Sequence, residues 1–554
     1  MILKRLIFVS VALGILAMAC GLRLTNLANR PVHTDEAVHA KKLGDLIERG
    51  DYVYDPHEFH GPTLNYGSAA VAHYRGHRTH AELDEYDLRL PAALVGIALV
   101  AGLLLMRNSL GNGETLAAML AVATCHELVF FSRDSIQEIF LVCFGFFAAV
   151  SIARALASPT RSSRWLWAVY AGMFVGLIHA TKETWVLSLP AAAVALGVVA
   201  WHFRQTIRPI RWRRLWLAPA ALLVATGVAF VLLSNFGKNP AALGDSISTY
   251  WNYLSRAAGD ASAMGADRHS YPFGRYITWL FNSPTHGWIY TQAPLLALAM
   301  LGFVSGWNRR VGLSDNQHRW RVGLGIYAFV LFGLYSLIPY KTPWCILSVI
   351  LPLCLLAGCG AMDLLRLTRP HGLHSRFAAG VLLLVLSIFQ YTSAHRASFV
   401  DIDNEANPSV YAHTTKDIPA LAEILERWRA ADPELAKTTN IKLFVENLEC
   451  LWPLPWYLRN FHHLDDPNHP NPTARPELIF LVAHHENIAS LQMQMTDYLY
   501  SDTFSAGGKP LLVPPILPAL RERIWLRHGI ELRIYGTMEL NERMYEALAP
   551  KATP

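Results

Sequence analysis

About eleven stretches of this chain are apolar for close to the ~20 residues a helix needs to cross a hydrocarbon core, and they leave it few other ways to fold. They run roughly over 6–27, 89–106, 114–131, 136–157, 166–181, 184–203, 215–234, 288–306, 322–339, 343–364 and 376–394. Charged residues make up only 16% of the 554, where a soluble chain carries about 25%. Lys4 and Arg5 precede the first stretch, as in a secretory signal. It runs long for one, and Ala17-Met18-Ala19 is its sole cleavage-like site, so a retained anchor is expected.

Charge between the stretches orients them. With the N-terminus inside, the cytoplasmic connections hold Arg107; Arg154, Arg161 and Arg164; Arg204, Arg208, Arg211, Arg213 and Arg214; Arg309, Arg310, Arg319 and Arg321; and Arg366, Arg369 and Arg376. Asp35, Glu36, Asp134, Glu183 and Lys341 fall on the opposite side, and basic loops stay inside. The net charge of +6 is thus a topology signal and implies no nucleic acid. Six of the cysteines lie in or beside apolar stretches as small hydrophobes. Cys450 stands alone beyond them, and no Cys/His spacing resembles a zinc site.

Three parts follow. Residues 1–394 form a polytopic all-α membrane domain with long external loops at about 28–88 and 235–287, and an odd number of spans places residues 395–554 outside as a soluble α/β domain. There, Ile418 to Arg429 and Ile488 to Tyr500 have helical periodicity, while 441–445, 478–482 and 531–535 read as strands. Asp465 to Pro476, rich in Pro and Asn, reads as a loop.

Chemistry-bearing residues gather in the external turns. Asp35 and Glu36 follow the first span, at the head of a stretch that Thr34 can cap and whose Leu43, Leu46 and Ile47 form an apolar stripe. His33 precedes the pair and His39 lies one turn beyond Asp35. Gly61-Pro62 forces a turn that presents His57 and His60. Arg133 and Asp134 share a tight turn, and a helix continuing from Glu127 to Asp134 would put both acids on one face. Lys182 and Glu183 occupy a further turn. Tyr340 and Lys341, between Pro339 and Pro343 and beside Trp344, suit a lipid phosphate, with Lys as a point charge and Tyr as a hydrogen-bond donor.

These segments resemble the GT-C glycosyltransferases, nearest to family 39 with its protein O-mannosyltransferases and lipid A aminoarabinose transferase. They resemble more closely the prokaryotic flippase-associated, family-39-like membrane proteins. The resemblance rests on His-x-Asp-Glu-Ala at 33–37, His-Gly-Pro-Thr-Leu at 60–64, Ser-Arg-Asp at 132–134, Thr-Lys-Glu-Thr at 181–184 and Tyr-Lys-Thr-Pro-Trp at 340–344, with Trp452 to Arg459 also typical. It implies a GT-C membrane domain of about 11 spans, with Asp35 as general base, Glu36 assisting it, and Asp134 as a second acidic site residue. Lys182, Arg133, Tyr340 and Lys341 are expected at the donor phosphate. His33, His39, His60, Glu127, Glu183 and Trp344 are expected at the acceptor or sugar. The family's Pro-Pro turn is replaced here by His60-Gly61-Pro62, which bears on acceptor recognition.

The expected reaction moves a hexosyl or pentosyl group, with inversion, from a polyprenyl-phosphate sugar to an external acceptor (protein, lipid or polymer) at a bacterial inner membrane. No cofactor is required; a divalent metal is possible but not implied. The rival expectation is a lipid-linked-sugar flippase or an accessory scaffold. Transporters place binding groups at mid-membrane between repeated halves. No repeat is evident in the sequence, and Glu127 and His179 are the residues that favour the rival.

Overall fold

The computed structural model describes residues 2–57, 60–206, 214, 216–257, 269–281, 287–308, 312–461, 464–465, 476–499, 512–513 and 523–548. They form two compact units: Met1–Leu27, Asp45–His77 and Asp84–Tyr411 in the first, Ala28–Gly44, Arg78–Leu83 and Ala412–Pro554 in the second.

Long runs of Leu, Ala, Val and Phe must satisfy their own backbone groups where water is scarce, and helices do so within one segment. The chain opens with α1 (Ile2–Leu24), α2 (Thr34–Arg49), α3 (Thr63–Arg75), α4 (Glu85–Gly102), α5 (Arg107–Leu110) and α6 (Asn112–Thr124). Next come α7 (His126–Phe131), α8 (Glu138–Ala157), α9 (Arg161–His179), α10 (Ser188–His202), α11 (Leu217–Leu233) and α12 (Ala242–Ala257). The first unit closes with α13 (Arg275–Leu280), α14 (Ala293–Asn308), α15 (Asp315–Leu337), α16 (Leu347–Leu367) and α17 (Gly372–Phe399). Among the described residues, 6 helical stretches are long and apolar enough to cross a membrane, with shorter apolar helices at Leu217–Leu233 and Ala293–Asn308.

Four of the expected spans are not single α-helices: those at 89–106 and 343–364 include the 3-10 turns Leu103–Met106 and Pro343–Ile346. The run at 114–131 breaks at Cys125, whose ψ of 120° is extended, into α6 and α7. The run at 184–203 begins with the 3-10 turn Glu183–Leu187 before α10. Small residues bring helices close: a Cβ on Gly172 or Gly176 of α9 would lie 2.2 or 2.5 Å from the Ala221 or Ala225 carbonyl oxygen of α11.

Two of the arginines assigned to basic loops are not simple loop charges. Arg321 of α15 is fully buried and pairs with Asp363 of α16 and, at 3.5 Å, with Glu114 of α6. Arg366 joins the same two acids. Two cations and two anions balance, so the cluster ties three helices together without net charge. Arg321→Met leaves two acids sharing one guanidinium, and breaking a buried pair costs roughly 3–5 kcal/mol. A large fall in the thermal midpoint of the detergent-solubilised protein is the expected result.

The second unit holds α2 as far as Gly44 together with α18 (Asp417–Ala431), α19 (Pro433–Thr438), β1 (Ile441–Val445), α20 (Leu448–Leu451), α21 (Leu454–Tyr457) and β2 (Leu464–Asp465). Then follow β3 (Leu478–His484), α22 (Ile488–Leu499), β4 (Leu512–Val513), β5 (Arg523–Arg527), β6 (Ile530–Thr537) and α23 (Met538–Leu548). The sheet order is β2-β1-β3-β6-β4, with β5 also on β6. β1 runs parallel to β2 and β3, while β6 is antiparallel to its neighbours. The continuous apolar run of β3 is buried along Leu478 to Ala483, as a central strand covered on both faces requires. The expected strands and helices of this region are found at these positions; the loop from Asp465 to Pro476 lies almost wholly outside the described residues.

Candidate functional site

In the first unit, tertiary contacts join motifs that are far apart in sequence. His60 has a positive φ of 59°. Its Nδ1 lies 2.7 Å from Glu183 Oε2, and the Tyr54 hydroxyl donates to Glu183 Oε1 at 3.2 Å. The Gly61 amide donates to the Thr181 carbonyl at 3.0 Å, and the Thr63 and Thr181 hydroxyls are 2.8 Å apart. Burial pushes the Tyr54 phenol well above its usual pKa, so it stays a neutral donor. The His-Gly-Pro-Thr and Thr-Lys-Glu-Thr motifs are therefore two sides of one contact. It demands glycine: a Cβ at 61 would stand 2.1 Å from the Ala180 carbonyl oxygen. Gly61→Ala must displace backbone, and overpacking of this kind costs roughly 1–3 kcal/mol. Its thermal midpoint is expected to fall, with transfer lost in step.

Lys182 is buried against Glu138, the first residue of α8, which forms an ion pair with it. Burial opposes the ammonium's charge, but Glu138 outweighs burial and holds its pKa above the ordinary value. Of the cations expected at the donor phosphate, Lys182 thus has its charge balanced by a carboxylate within the fold. Glu138 escaped the sequence reading, although a carboxylate opening an apolar span is itself a signal.

Arg133 lies against the end of α1. Its guanidinium donates to the carbonyls of Leu22, Arg23, Thr25 and Asn26 at 2.8–3.2 Å and lies 4.3 Å from the Phe399 ring centroid. The end of α1 leaves unsatisfied carbonyls, and Arg133 caps them. α7 stops at Phe131, so Glu127 and buried Asp134 do not share a helical face. Glu127 instead meets Gln292, His126 and Cys125 in an interior polar cluster. Trp344 is likewise core, edge-on to Phe131 and Tyr411. His179 bonds Tyr250 and Ser246.

Lys341 behaves differently. It is 1% exposed, and its ammonium donates to the carbonyls of Ile338 and, at 3.2 Å, Tyr271, with the Tyr276 ring centroid 6.0 Å away. Burial lowers its pKa. Among the described residues no carboxylate pairs with it. Tyr340 beside it is 39% exposed and pairs with Ser270 as an isolated bridge. Arg275, which the sequence reading passed over, stacks 4.7 Å from both the Tyr271 and Trp279 ring centroids. It too has no described carboxylate partner. The signal available was an arginine in the aromatic run Tyr271 to Trp279. Both cations touch Tyr271, one at its carbonyl and one at its ring.

In the second unit, the head of α2 is tightly held. The Asp35 amide donates to His33 Nδ1 at 3.1 Å, and the His33 amide donates to Glu36 Oε2 at 2.9 Å. His33, not Thr34, therefore caps the helix, and buried Glu36 completes a reciprocal cap. Thr34 Oγ1 instead accepts from Arg527 Nη1 at 2.8 Å. The Val32 amide donates to the Tyr457 hydroxyl at 2.7 Å, and Thr414 Oγ1 donates to the Val32 carbonyl at 2.6 Å. His39 is buried. Asp35 is half-buried, and its carboxylate has no hydrogen-bond or ion-pair partner among the described residues.

The fold is GT-C-like, with apolar helices long enough to cross a membrane in the first unit and a small sheet in the second. Residues 81–234 match the family model of dolichyl-phosphate-mannose-protein mannosyltransferases. The fold is similar to ArnT from Cupriavidus metallidurans bound to undecaprenyl phosphate, at 15% identity, TM-score 0.59 and coverage of 100% of this chain and 99% of that one. The apo form of that protein aligns with a TM-score of 0.60 at 15% identity, over 99% of each chain. An oligosaccharyltransferase from Archaeoglobus fulgidus, AglB, in complex with an inhibitory peptide and a dolichol-phosphate, aligns at 13% identity and TM-score 0.53, over 89% of this chain and 71% of that one. No curated protein matches the sequence.

Proposed function

We propose that this protein is a membrane glycosyltransferase that moves a sugar from a polyprenyl-phosphate donor to an acceptor hydroxyl outside the cytosol. The observation that carries the reading is Lys341, a buried ammonium held by carbonyls and an aromatic face with no described carboxylate to balance it. Burying an unpaired charge is costly, and a lipid phosphate is an anion that removes the cost. Arg275 offers a second cation of the same kind. The fold shared with a protein that binds undecaprenyl phosphate supports the same donor class.

In this reading the acceptor oxygen bonds to the anomeric carbon as the bond from that carbon to the phosphate oxygen breaks. The acceptor's proton passes to Asp35, and the electron pair leaves with the lipid phosphate, whose growing charge Lys341 stabilises. One displacement inverts the anomeric centre. The acceptor is a protein, lipid or polymer.

Purified protein in proteoliposomes, given a labelled polyprenyl-phosphate sugar, should move label from lipid to acceptor or water. Lipid scrambling with no such movement would overturn the reading. It would favour a flippase instead, for which the interior cluster of Glu127, His126, Gln292 and Gln390 is the supporting observation.

A further inference from the structure

The sheet of the second unit carries a donor set that the transfer reaction does not use. β1 and β3 are parallel, with Val445 opposite Val482. Ligands in α/β sheets bind beyond the carboxyl ends of such strands. Just past β1 stands Glu446, at the end of β3 stands His484, and α20 adds Cys450. One ligand atom from each lies within 4.8 Å of the others: Cys450 Sγ is 3.8 Å from His484 Nδ1, which is 2.9 Å from Glu446 Oε2.

We propose that Glu446, Cys450 and His484 bind a divalent cation of the zinc class. A tetrahedral ion with Zn–S near 2.3 Å and Zn–N or Zn–O near 2.0–2.2 Å sets its ligand atoms about 3.4–3.6 Å apart. The sulfur-to-nitrogen distance is already close to that, and the carboxylate must withdraw by about half an ångström, exchanging its hydrogen bond to the imidazole for a bond to the metal. Thiolate, imidazole and carboxylate together favour Zn²⁺ over Mg²⁺ or Ca²⁺, which prefer all-oxygen sites.

The outer contacts suit the role. Asn487 Nδ2 donates to Glu446 Oε1 and the His484 amide to Oε2, both at 2.8 Å, so the carboxylate is aimed before any ion arrives. Cys450 is fully buried, whereas the side chains of His484 and Glu446 are 19% and 24% exposed, which leaves a water-accessible fourth position. The site also has a structural consequence. The Glu449 carbonyl, beside Cys450, accepts from Arg527 Nη2 at 2.7 Å, and the other terminal nitrogen of Arg527 holds Thr34. A cation on Cys450 therefore braces α20 and, through Arg527, the head of α2.

The test uses the full-length protein in detergent, stripped with EDTA and titrated with Co²⁺. Binding of one Co²⁺ per chain, with a thiolate-to-cobalt charge-transfer band that Zn²⁺ abolishes, is expected. Cys450→Ser should lose the band. Because Cys450 is buried, Glu446→Gln and His484→Gln provide arms that spare the core, and each should weaken Co²⁺ binding by about tenfold or more. No band in the wild type, a band unchanged in Cys450→Ser, or unchanged affinity in both other variants would overturn the site. None of these readouts depends on sugar transfer.

Discussion

Asp35→Asn should reduce sugar transfer by roughly 10²- to 10⁴-fold, the range that a positioned general base contributes. The substitution keeps the shape of the side chain and removes its ability to take a proton. Nothing in the fold should suffer. The cap of α2 uses the His33 imidazole, the Asp35 backbone amide and the Glu36 carboxylate, all of which remain. The Asp35 carboxylate itself has no hydrogen-bond partner among the described residues to lose. The thermal midpoint should stay at the wild-type value while initial transfer rates from a labelled polyprenyl-phosphate sugar collapse. Wild-type turnover in Asp35→Asn would remove Asp35 from the mechanism. A collapse of turnover and stability together would reassign it to the framework of α2.

Lys341→Met should lower transfer by about 10²- to 10³-fold, the usual loss when one preorganised donor to a developing charge is removed. Its stability signature separates this role from a structural one. In the free protein the buried ammonium faces carbonyls and an aromatic ring without a described carboxylate. Replacing such a charge with an apolar side chain of similar length removes a desolvation cost, and is expected to be neutral or stabilising. A ligand that binds the native state raises its stability by mass action. Undecaprenyl phosphate should therefore raise the thermal midpoint of the wild type and leave that of Lys341→Met nearly unmoved. Equal stabilisation of both proteins by the lipid would show that Lys341 does not hold the phosphate. Lys182→Met gives a useful contrast. Its partner Glu138 would be left buried and alone, so this variant should lose stability even without lipid.

The same two lysines show how far residue type alone reaches. Each stands in a turn between apolar stretches, flanked by polar neighbours, and each is expected at the donor phosphate on the strength of the resemblance. Glu138, 44 residues before Lys182, neutralises one of them, whereas among the described residues the other meets carbonyls and a ring and no carboxylate. Arg133 has the look of a free cation beside Asp134. Its donors go instead to the exposed end of a helix over 100 residues earlier. Arg275 sat in a loop that offered no motif, and became visible once Tyr271 lay under its guanidinium. The Glu446, Cys450 and His484 group has no telling spacing either, since parallel pairing of β1 and β3 is what brings residues 34 and 38 positions apart to one edge.

Hydropathy and periodicity act over neighbouring residues, so the chain's helical apolar stretches, the strands at 441–445, 478–482 and 531–535, and the positions of the turn motifs were decided locally and could be read from the residues in order. Charge pairing acts over a few ångströms of space between segments that the chain holds far apart. Only the tertiary structure decided which cations are neutralised, which are caps, and which have no described carboxylate, because that depends on which carboxylates and carbonyls the packed helices deliver to each of them.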